Sequence, residues 1–270
     1  MIDNAVTDGE RLCNFVNHRL LASVPWDTLA FALEPTGRPA DLIEFYREIT
    51  AVGLTGRLVS AGTSMAESVA IDDPAFRKEF TGLLRDYIGI PHRTIDELFR
   101  FSQRAVMAAL EVLPKSLRTQ MEIFGMRSHP HCYMCGVSLN FTDREIPQSY
   151  TCEHVWPRAY GGNSIVENLL PACQSCNSIK KANFPTWVMP AIQSLLLGLS
   201  PTDNRLQEIN GSFKFAIHYR AAQRLAIRER RTLKSSFLQL GPWQDVRIRD
   251  LGDIVDAFNL ENHATDRAVA

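Results

Sequence analysis

Metal-binding thiols and acid–base side chains are concentrated between residues 132 and 181. Two Cys-x-x-Cys pairs bracket most of this stretch, formed by Cys132, Cys135, Cys173 and Cys176. A two-residue spacer lets both sulfurs of a pair face the same ion, and two pairs complete the tetrahedron that zinc prefers. We therefore predict one structural Zn²⁺ held by the four thiolates.

A carboxylate, an imidazole and two amides accompany these cysteines: Glu153, His154, Asn168 and Asn177. An imidazole whose pKa is about 6.5 can take a proton from water near neutral pH. Carboxylate and amide oxygens are the kind of ligand that suits Mg²⁺ or Mn²⁺. A base together with a divalent cation is what the hydrolysis of a phosphodiester requires.

The order and the intervals of these residues resemble the HNH family of metal-dependent nucleases, over residues 132–181. Other residues that fit the resemblance are Pro157, Gly161, Gly162 and Lys180. The family resemblance implies a zinc-stabilised ββα-metal unit, similar to a treble clef, embedded in the chain.

The resemblance also implies a role for each polar residue. His154 would be the general base, while Glu153 and Asn177 would hold a catalytic Mg²⁺ or Mn²⁺. Asn168 would tie a loop to the first strand rather than touch the substrate. The residues expected to contact nucleic acid near this site are Arg158, Lys180 and Lys181.

A strand over residues 149–155 would place Glu153 and His154 on opposite faces, because successive side chains of a strand alternate. One of the two could then bind metal while the other reaches water. The remaining expectations are a second strand over residues 168–170 and a helix that starts near Cys173 or Asn177.

Three further side chains invite a chemical interpretation that the sequence leaves open. Cys152 lies beside Glu153 and could be a nucleophile, but a small apolar residue on a buried strand face is the favoured interpretation. His129 and His131 precede Cys132, and we interpret them as turn residues because four thiolates already complete a zinc tetrahedron.

The composition is that of an ordinary globular protein, with 45% hydrophobic and 22% charged residues among 270. No apolar run is long enough to cross a bilayer, and the first residues lack the basic and apolar regions of a signal peptide. We therefore expect a cytoplasmic protein without a membrane partner.

Charge is unevenly distributed along the chain. Residues 1–114 contain 11 Lys and Arg against 16 Asp and Glu, a net charge of −5, whereas residues 205–250 contain 10 against 4, a net charge of +6. A long helix from about Asn204 to Leu233 would align Arg220, Arg224, Arg228 and Arg231 on one face, with Ala222, Leu225 and Ala226 toward the core. This arginine stripe is either a phosphate-binding surface or a solvated face.

The pattern predicts a mainly α protein with a helical region over residues 1–126, a nuclease module over 127–188 and a helical region with the basic stripe over 189–270. One N-terminal helix should follow the cap at Asp73 and end at Gly89, with Phe80, Leu83, Leu84 and Tyr87 in its apolar stripe. A second should start at a Thr94–Glu97 capping box and continue to Pro114 with Ile95, Leu98, Phe99, Val106 and Leu110 on its apolar face. A third should run from Lys115 to about Phe124, and residues 41–52 should be helical before a loop.

These observations predict a metal-dependent endonuclease acting on DNA, double-stranded rather than single-stranded, in restriction or phage defence. A non-catalytic zinc module that binds nucleic acid or protein, and an enzyme that cleaves RNA, are the alternatives. One ββα unit cuts one strand, so a double-strand break would require a homodimer or two independent nicks.

Overall fold

The structure is a computed structural model that describes residues 4–26, 39–183, 218–219 and 221–242. This part of the chain is mainly helical and contains a two-stranded sheet, so the predicted fold class is confirmed. Before the sheet come α1 (Asp8–Phe15), α2 (Pro39–Met65), α3 (Pro74–Gly82), α4 (His92–Leu110) and α5 (Lys115–Ser128). Then follow β1 (Tyr150–His154), β2 (Leu169–Cys173), α6 (Gln174–Asn183), α7 (221–229) and α8 (Leu233–Leu240).

The α2 helix is longer than the sequence indicates. We expected a loop after Val52, but the helix continues to Met65 through two glycines that face close neighbours. A Cβ on Gly56 would lie 2.3 Å from the Tyr160 ring, and one on Gly62 would lie 2.3 Å from Val106 Cγ2. Glycine costs a helix about 1 kcal/mol, and the close packing that it permits offsets this cost.

The α4 helix begins at His92, after Pro91, so the predicted capping box at Thr94 is wrong. Thr94 Oγ1 instead donates to the carbonyl of Pro91 at 2.8 Å. The helix ends at Leu110, well before Pro114, and Leu110 is 46% exposed rather than buried. The other members of the predicted apolar face are buried: Ile95, Leu98, Phe99 and Val106.

Caps and glycines also define the neighbouring helices. Asp73 caps α3 through a 2.7 Å bond from the Ala75 backbone N–H, as predicted, and Gly89 follows the helical segment with a left-handed φ of +74°. Tyr87 is 86% exposed, so its place in the apolar stripe is wrong. The α5 helix continues through Gly125 to Ser128, because that glycine packs against an aromatic ring and does not act as a stop.

The two strands pair antiparallel, with Glu153 opposite Leu170 and His154 opposite Leu169. Every residue of β2 is buried, whereas β1 has a mixed burial pattern. The strands and α6 form the ββα unit that the sequence predicts. The second strand begins at residue 169, one position later than expected, because Asn168 belongs to a short 3₁₀ turn.

The N-terminal helices pack directly on this unit. The Gly9 backbone N–H donates to the Gly161 carbonyl at 2.8 Å, and the Asp8 N–H donates to Asn163 Oδ1 at 2.7 Å. Gly161 has a φ of +82°, and a Cβ there would lie 2.6 Å from Ala105 of α4. Glycine therefore permits both the turn and the close approach of the two parts.

The C-terminal helix differs from the expectation. The helix α7 ends at residue 229, and Arg230 has a φ of 50°, so a single helix as far as Leu233 is wrong. Thr232 then caps α8 by accepting from the Ser235 N–H at 3.2 Å. Ala222, Leu225 and Ala226 are buried as predicted. Residues 204–217 lie outside the described residues.

Among the described helices, none is both long and apolar enough to cross a membrane.

The contact between α1 and the ββα unit can be tested by adding a methyl group. A Cβ on Gly9 would lie 2.1 Å from the Tyr160 carbonyl oxygen and 2.4 Å from Trp156 Nε1. We expect Gly9→Ala to lower the free energy of unfolding by about 1–3 kcal/mol, as overpacking does. Thermal denaturation measures the change.

Gly53→Ala is the matched control, because a Cβ at that position of α2 would have no neighbouring group within 4 Å beyond its own stretch of helix. Alanine in a helix interior should raise stability by about 0.5–1 kcal/mol. Equal melting temperatures for the two variants would contradict the packing described here.

Candidate active site and zinc centre

Four cysteine sulfurs form a compact cluster. The ligand atoms of Cys132, Cys135, Cys173 and Cys176 all lie within 4.8 Å of one another. The first pair sits in a turn before β1, the second at the junction of β2 and α6. Sγ of Cys135 lies 3.8 Å from Sγ of Cys173. This arrangement fits a tetrahedral zinc ion with four thiolate ligands, and neither His129 nor His131 joins the cluster within the described residues.

The close sulfurs favour thiolates at two positions. Hydrogen bonding with Cys132 is the largest cause that lowers the pKa of Cys173, to about 7, and it also lowers the pKa of Cys135 far below that of a free thiol. The pKa of Cys132 is raised chiefly by hydrogen bonding with Cys135, and that of Cys176 chiefly by hydrogen bonding with Cys132. Zinc binding would release thiol protons from the cluster, because the metal binds the thiolate form.

His154 stands at the end of β1 with a defined side-chain partner. Its Nε2 lies 3.1 Å from Ser164 Oγ, and Ser164 is only 4% exposed. The Ser164 backbone N–H in turn faces Glu111 Oε2 at 3.4 Å. The hydroxyl therefore fixes the plane of the imidazole. Sequence reasoning missed Ser164, although its position directly after the Gly161–Gly162 turn offered a signal.

Glu153 points away from His154, as the strand alternation predicts. It is 6% exposed, and its Oε1 lies 2.8 Å from Nζ of Lys180. Lys180 is 2% exposed and also donates to the carbonyl oxygens of His154 at 2.7 Å and Val155 at 2.8 Å. Burial is the main cause that lowers the pKa of Lys180, and the charge of Glu153 opposes this shift. The expectation that Lys180 contacts nucleic acid is therefore contradicted, because its ammonium is buried among protein oxygens.

Asn177 lies in α6 on the wall of the same cavity as His154. Its Oδ1 is buried and has no hydrogen-bond partner among the residues that the structure describes. A buried amide oxygen without a partner costs free energy. An atom in this state is one that a bound ligand or cation would satisfy.

The cavity is an open cleft of about 720 Å³ between the ββα unit and the N-terminal helices. From the unit it is lined by Cys152, Glu153, His154, Pro157, Arg158, Ala159, Tyr160 and Asn177. From the N-terminal helices it is lined by Ser60, Thr63, Ala109, Leu110, Leu113 and Arg118. No chemical role was predicted for residues 1–126, yet helices α2, α4 and α5 contribute to one wall of the cleft.

Asn168 makes contacts inside the loop that follows β1. Its Oδ1 accepts from the Trp156 N–H at 2.7 Å, and its Nδ2 donates to the carbonyls of Trp156 and Asn163, each at 3.0 Å. The contacts are those that a loop-tying role requires. Trp156 is 2% exposed and donates from Nε1 to the Tyr160 carbonyl at 2.9 Å, so its indole anchors the same loop.

Cys152 faces the cleft beside His154 but is poorly suited to nucleophilic attack. Burial is the main cause that raises the pKa of its thiol, to about 11. The thiolate is the nucleophilic form, so a thiol with this pKa is protonated near neutral pH. The structure therefore favours the small apolar role.

The other basic residues that we predicted to contact nucleic acid differ in their positions and partners. Arg158 is exposed at the cleft and donates from Nη1 to the Glu111 carbonyl at 3.3 Å, and Lys181 belongs to α6. In the arginine stripe, Arg228 and Arg231 both pair with Glu229, at 3.2 and 2.7 Å. Arg224 is half-buried in α7, whereas Arg220 lies outside the described residues. The break at residue 230 removes Arg231 from the predicted helix face.

Apart from the cysteine cluster, the cleft contains oxygen ligands that fit a hard divalent cation. Glu153 and Asn177 both border the cleft that contains His154, and within the described ranges no group hydrogen-bonds to Asn177 Oδ1. Oxygen ligands of this type are those that Mg²⁺ and Mn²⁺ prefer. Lys180 engages one oxygen of Glu153, which leaves the carboxylate's other oxygen for such an ion.

The role of Ser164 predicts a modest kinetic effect of removing its hydroxyl. We expect Ser164→Ala to lower the rate of any reaction that uses His154 by about two- to tenfold, the equivalent of one hydrogen bond. Ser60→Ala, on the other wall of the cleft, is the control and should leave the rate unchanged. Single-turnover rates measure both, and equal rates for the two variants would remove Ser164 as a positioning residue.

The zinc centre predicts that Cys173→Ser abolishes metal binding and folding together. Zinc bound by four thiolates contributes on the order of 10 kcal/mol of apparent binding free energy that is also folding free energy. Elemental analysis should find one zinc per wild-type chain and none in soluble Cys173→Ser protein. Cys152→Ser should keep its zinc, and a soluble, zinc-free and stable Cys173→Ser protein would refute the site.

Comparison with known protein families gives one match to this chain, and it falls on the region just described. Residues 132–188 match the family model described as HNH endonuclease. The match begins at the first cysteine of the cluster and includes both strands and α6. Neither the curated proteins nor the solved structures contained a match. The chain therefore carries, over residues 132–188, a domain of the HNH endonuclease family.

Proposed function

We propose that this protein is a metal-dependent endonuclease that hydrolyses phosphodiester bonds of DNA. The observation that carries the proposal is that His154 and Asn177 line one cleft, and that Asn177 Oδ1 is buried without a hydrogen-bond partner among the described residues. A positioned base and a vacant hard ligand are the two requirements of this hydrolysis. The family match supports a nucleic acid as the substrate class.

Each residue of the site has its own role in the proposed hydrolysis. His154 accepts a proton from water as the water oxygen bonds to phosphorus, and the bond from phosphorus to the 3′ oxygen breaks. The departing oxygen takes a proton from solvent, which leaves a 3′-hydroxyl and a 5′-phosphate. Ser164 holds the imidazole in the orientation for this transfer. A Mg²⁺ or Mn²⁺ ion held by Glu153 and Asn177 would stabilise negative charge on the phosphate.

The remaining parts of the proposal follow from the sequence analysis. Double-stranded DNA is the proposed substrate, and a single ββα unit per chain means that a double-strand break needs a homodimer or two nicks. We further propose a role in restriction or phage defence, which helical regions flanking the domain suit, and a cytoplasmic location. Cleavage of labelled RNA instead of plasmid would select the RNA alternative, and binding without any cleavage would select the non-catalytic one.

Removal of the proposed base gives the direct test. We expect His154→Ala to lower the rate of plasmid nicking by about a hundredfold to ten-thousandfold, because a general base contributes about that much. His129→Ala is the control, since His129 lies outside the cleft. Circular dichroism and zinc content should be unchanged in both variants. Nicking at the wild-type rate by His154→Ala would refute the mechanism.

The proposed metal ligand gives a different signature. We expect Asn177→Ala to raise the concentration of Mg²⁺ needed for half-maximal nicking, because one oxygen ligand is lost. Excess Mn²⁺ should partly restore the rate, whereas it should not restore that of His154→Ala. A metal dependence identical to that of wild type would remove Asn177 from the metal site.

A further inference from the structure

One cation on the N-terminal wall of the cleft forms no hydrogen bond or ion pair with the residues that the structure describes. Arg118 lies in the first turn of α5 and lines the same cavity as His154 and Asn177. Its side chain is exposed, and it makes no hydrogen bond or ion pair with any residue in the described part of the chain. Arg118 thus lines the cleft without contributing a hydrogen bond or an ion pair to the described part of the fold.

The position of Arg118 is unfavourable for helix stability. The N-terminal end of a helix carries a partial positive charge, so a cation there is disfavoured. The first turn of α5 contains no acidic residue that would compensate, and it also contains Lys115. A destabilising, unpaired charge at a reaction cleft indicates a ligand that supplies the missing anion.

The charged side chains that line the cleft also favour an anionic ligand. Its cationic side chains are Arg118 and Arg158, and its carboxylate, Glu153, is already paired with the buried Lys180. Leu110 and Leu113 line the same wall as Arg118, and apolar neighbours lower the local dielectric and strengthen a charge contact. The cleft therefore attracts an anion that can meet a planar guanidinium.

We propose that Arg118 binds a phosphate of the nucleic-acid strand in the cleft, so that a helix outside the HNH domain completes the substrate site. The proposal rests on the proposed nuclease function. Arginine matches two phosphate oxygens with parallel hydrogen bonds, which a lysine cannot do. The α5 helix precedes residue 132, where the family match begins, so this contact belongs to the N-terminal region of this chain.

The test measures binding in a His154→Ala background, in which the nucleic acid is not cut. The probe is a short labelled duplex and its single strand, each titrated at several salt concentrations. Arg118→Gln should weaken binding about tenfold, which corresponds to about 1.4 kcal/mol, because a hydrogen bond to a charged group is lost. The slope of log affinity against log salt should flatten by about 0.9 for the duplex and about 0.7 for the single strand.

Arg127→Gln is the matched control on the same helix. It lies nine residues after Arg118, on the opposite face of α5, and does not line the cleft. It should keep both affinity and slope. Arg118→Lys should keep the slope, because the charge remains, and recover only part of the affinity. The melting temperature of Arg118→Gln should equal or exceed that of wild type, given the unfavourable helix position.

The outcomes separate the two proposals. In otherwise wild-type protein that cleaves DNA, Arg118→Gln should raise KM more than it lowers kcat, because the contact is already made before reaction. Unchanged KM, affinity and salt slope would overturn the role of Arg118 and leave the nuclease intact. Absence of cleavage by wild type would refute the nuclease, and the binding measurements would still decide on Arg118.

Discussion

The buried ammonium of Lys180 connects the parts of the catalytic unit. It bonds the Glu153 carboxylate and the carbonyls of His154 and Val155, and it lies 3.4 Å from the hydroxyl of Tyr133. These partners belong to β1, to the residue that follows it and to the turn between the first two cysteines, while Lys180 itself belongs to α6. Removing one partner of a buried pair costs about 3–5 kcal/mol, because the other charge is left uncompensated. The position of His154 relative to α6 therefore depends on this interaction together with the cysteine cluster.

The N-terminal helices have a direct part in the site because they close one side of the cleft. The close approach of these helices to the ββα unit depends on glycines. The Gly9 N–H donates to the Gly161 carbonyl, and Gly56 lies against the Tyr160 ring. Closer packing brings polar and cationic side chains of these helices to the wall that faces His154. The cleft is therefore formed jointly by the family domain and by a region that the family match does not include.

The sequence predicted local features well and long-range partners poorly. The cysteine cluster follows from the spacing of its members, and the opposite orientations of Glu153 and His154 follow from strand alternation, so both could be read from neighbouring residues. The burial of Lys180 could not, because a lysine is ordinarily exposed and its partners lie elsewhere in the chain. The length of α2 was missed for the same reason, since tertiary packing outweighs the low helix propensity of glycine. Arg118 carried no motif, and only the fold brings it to the cleft.

Cleavage by the wild-type protein tests the central claim most directly, namely that the cleft is a working hydrolytic site. Zinc-loaded protein is incubated with supercoiled plasmid, in Mg²⁺ or Mn²⁺ and in parallel with a chelator that removes these ions but leaves the zinc bound. The account predicts nicked plasmid with 5′-phosphate ends in the presence of either ion, and intact plasmid with the chelator. Folded, zinc-loaded protein that cuts neither plasmid nor RNA with any divalent ion would contradict it.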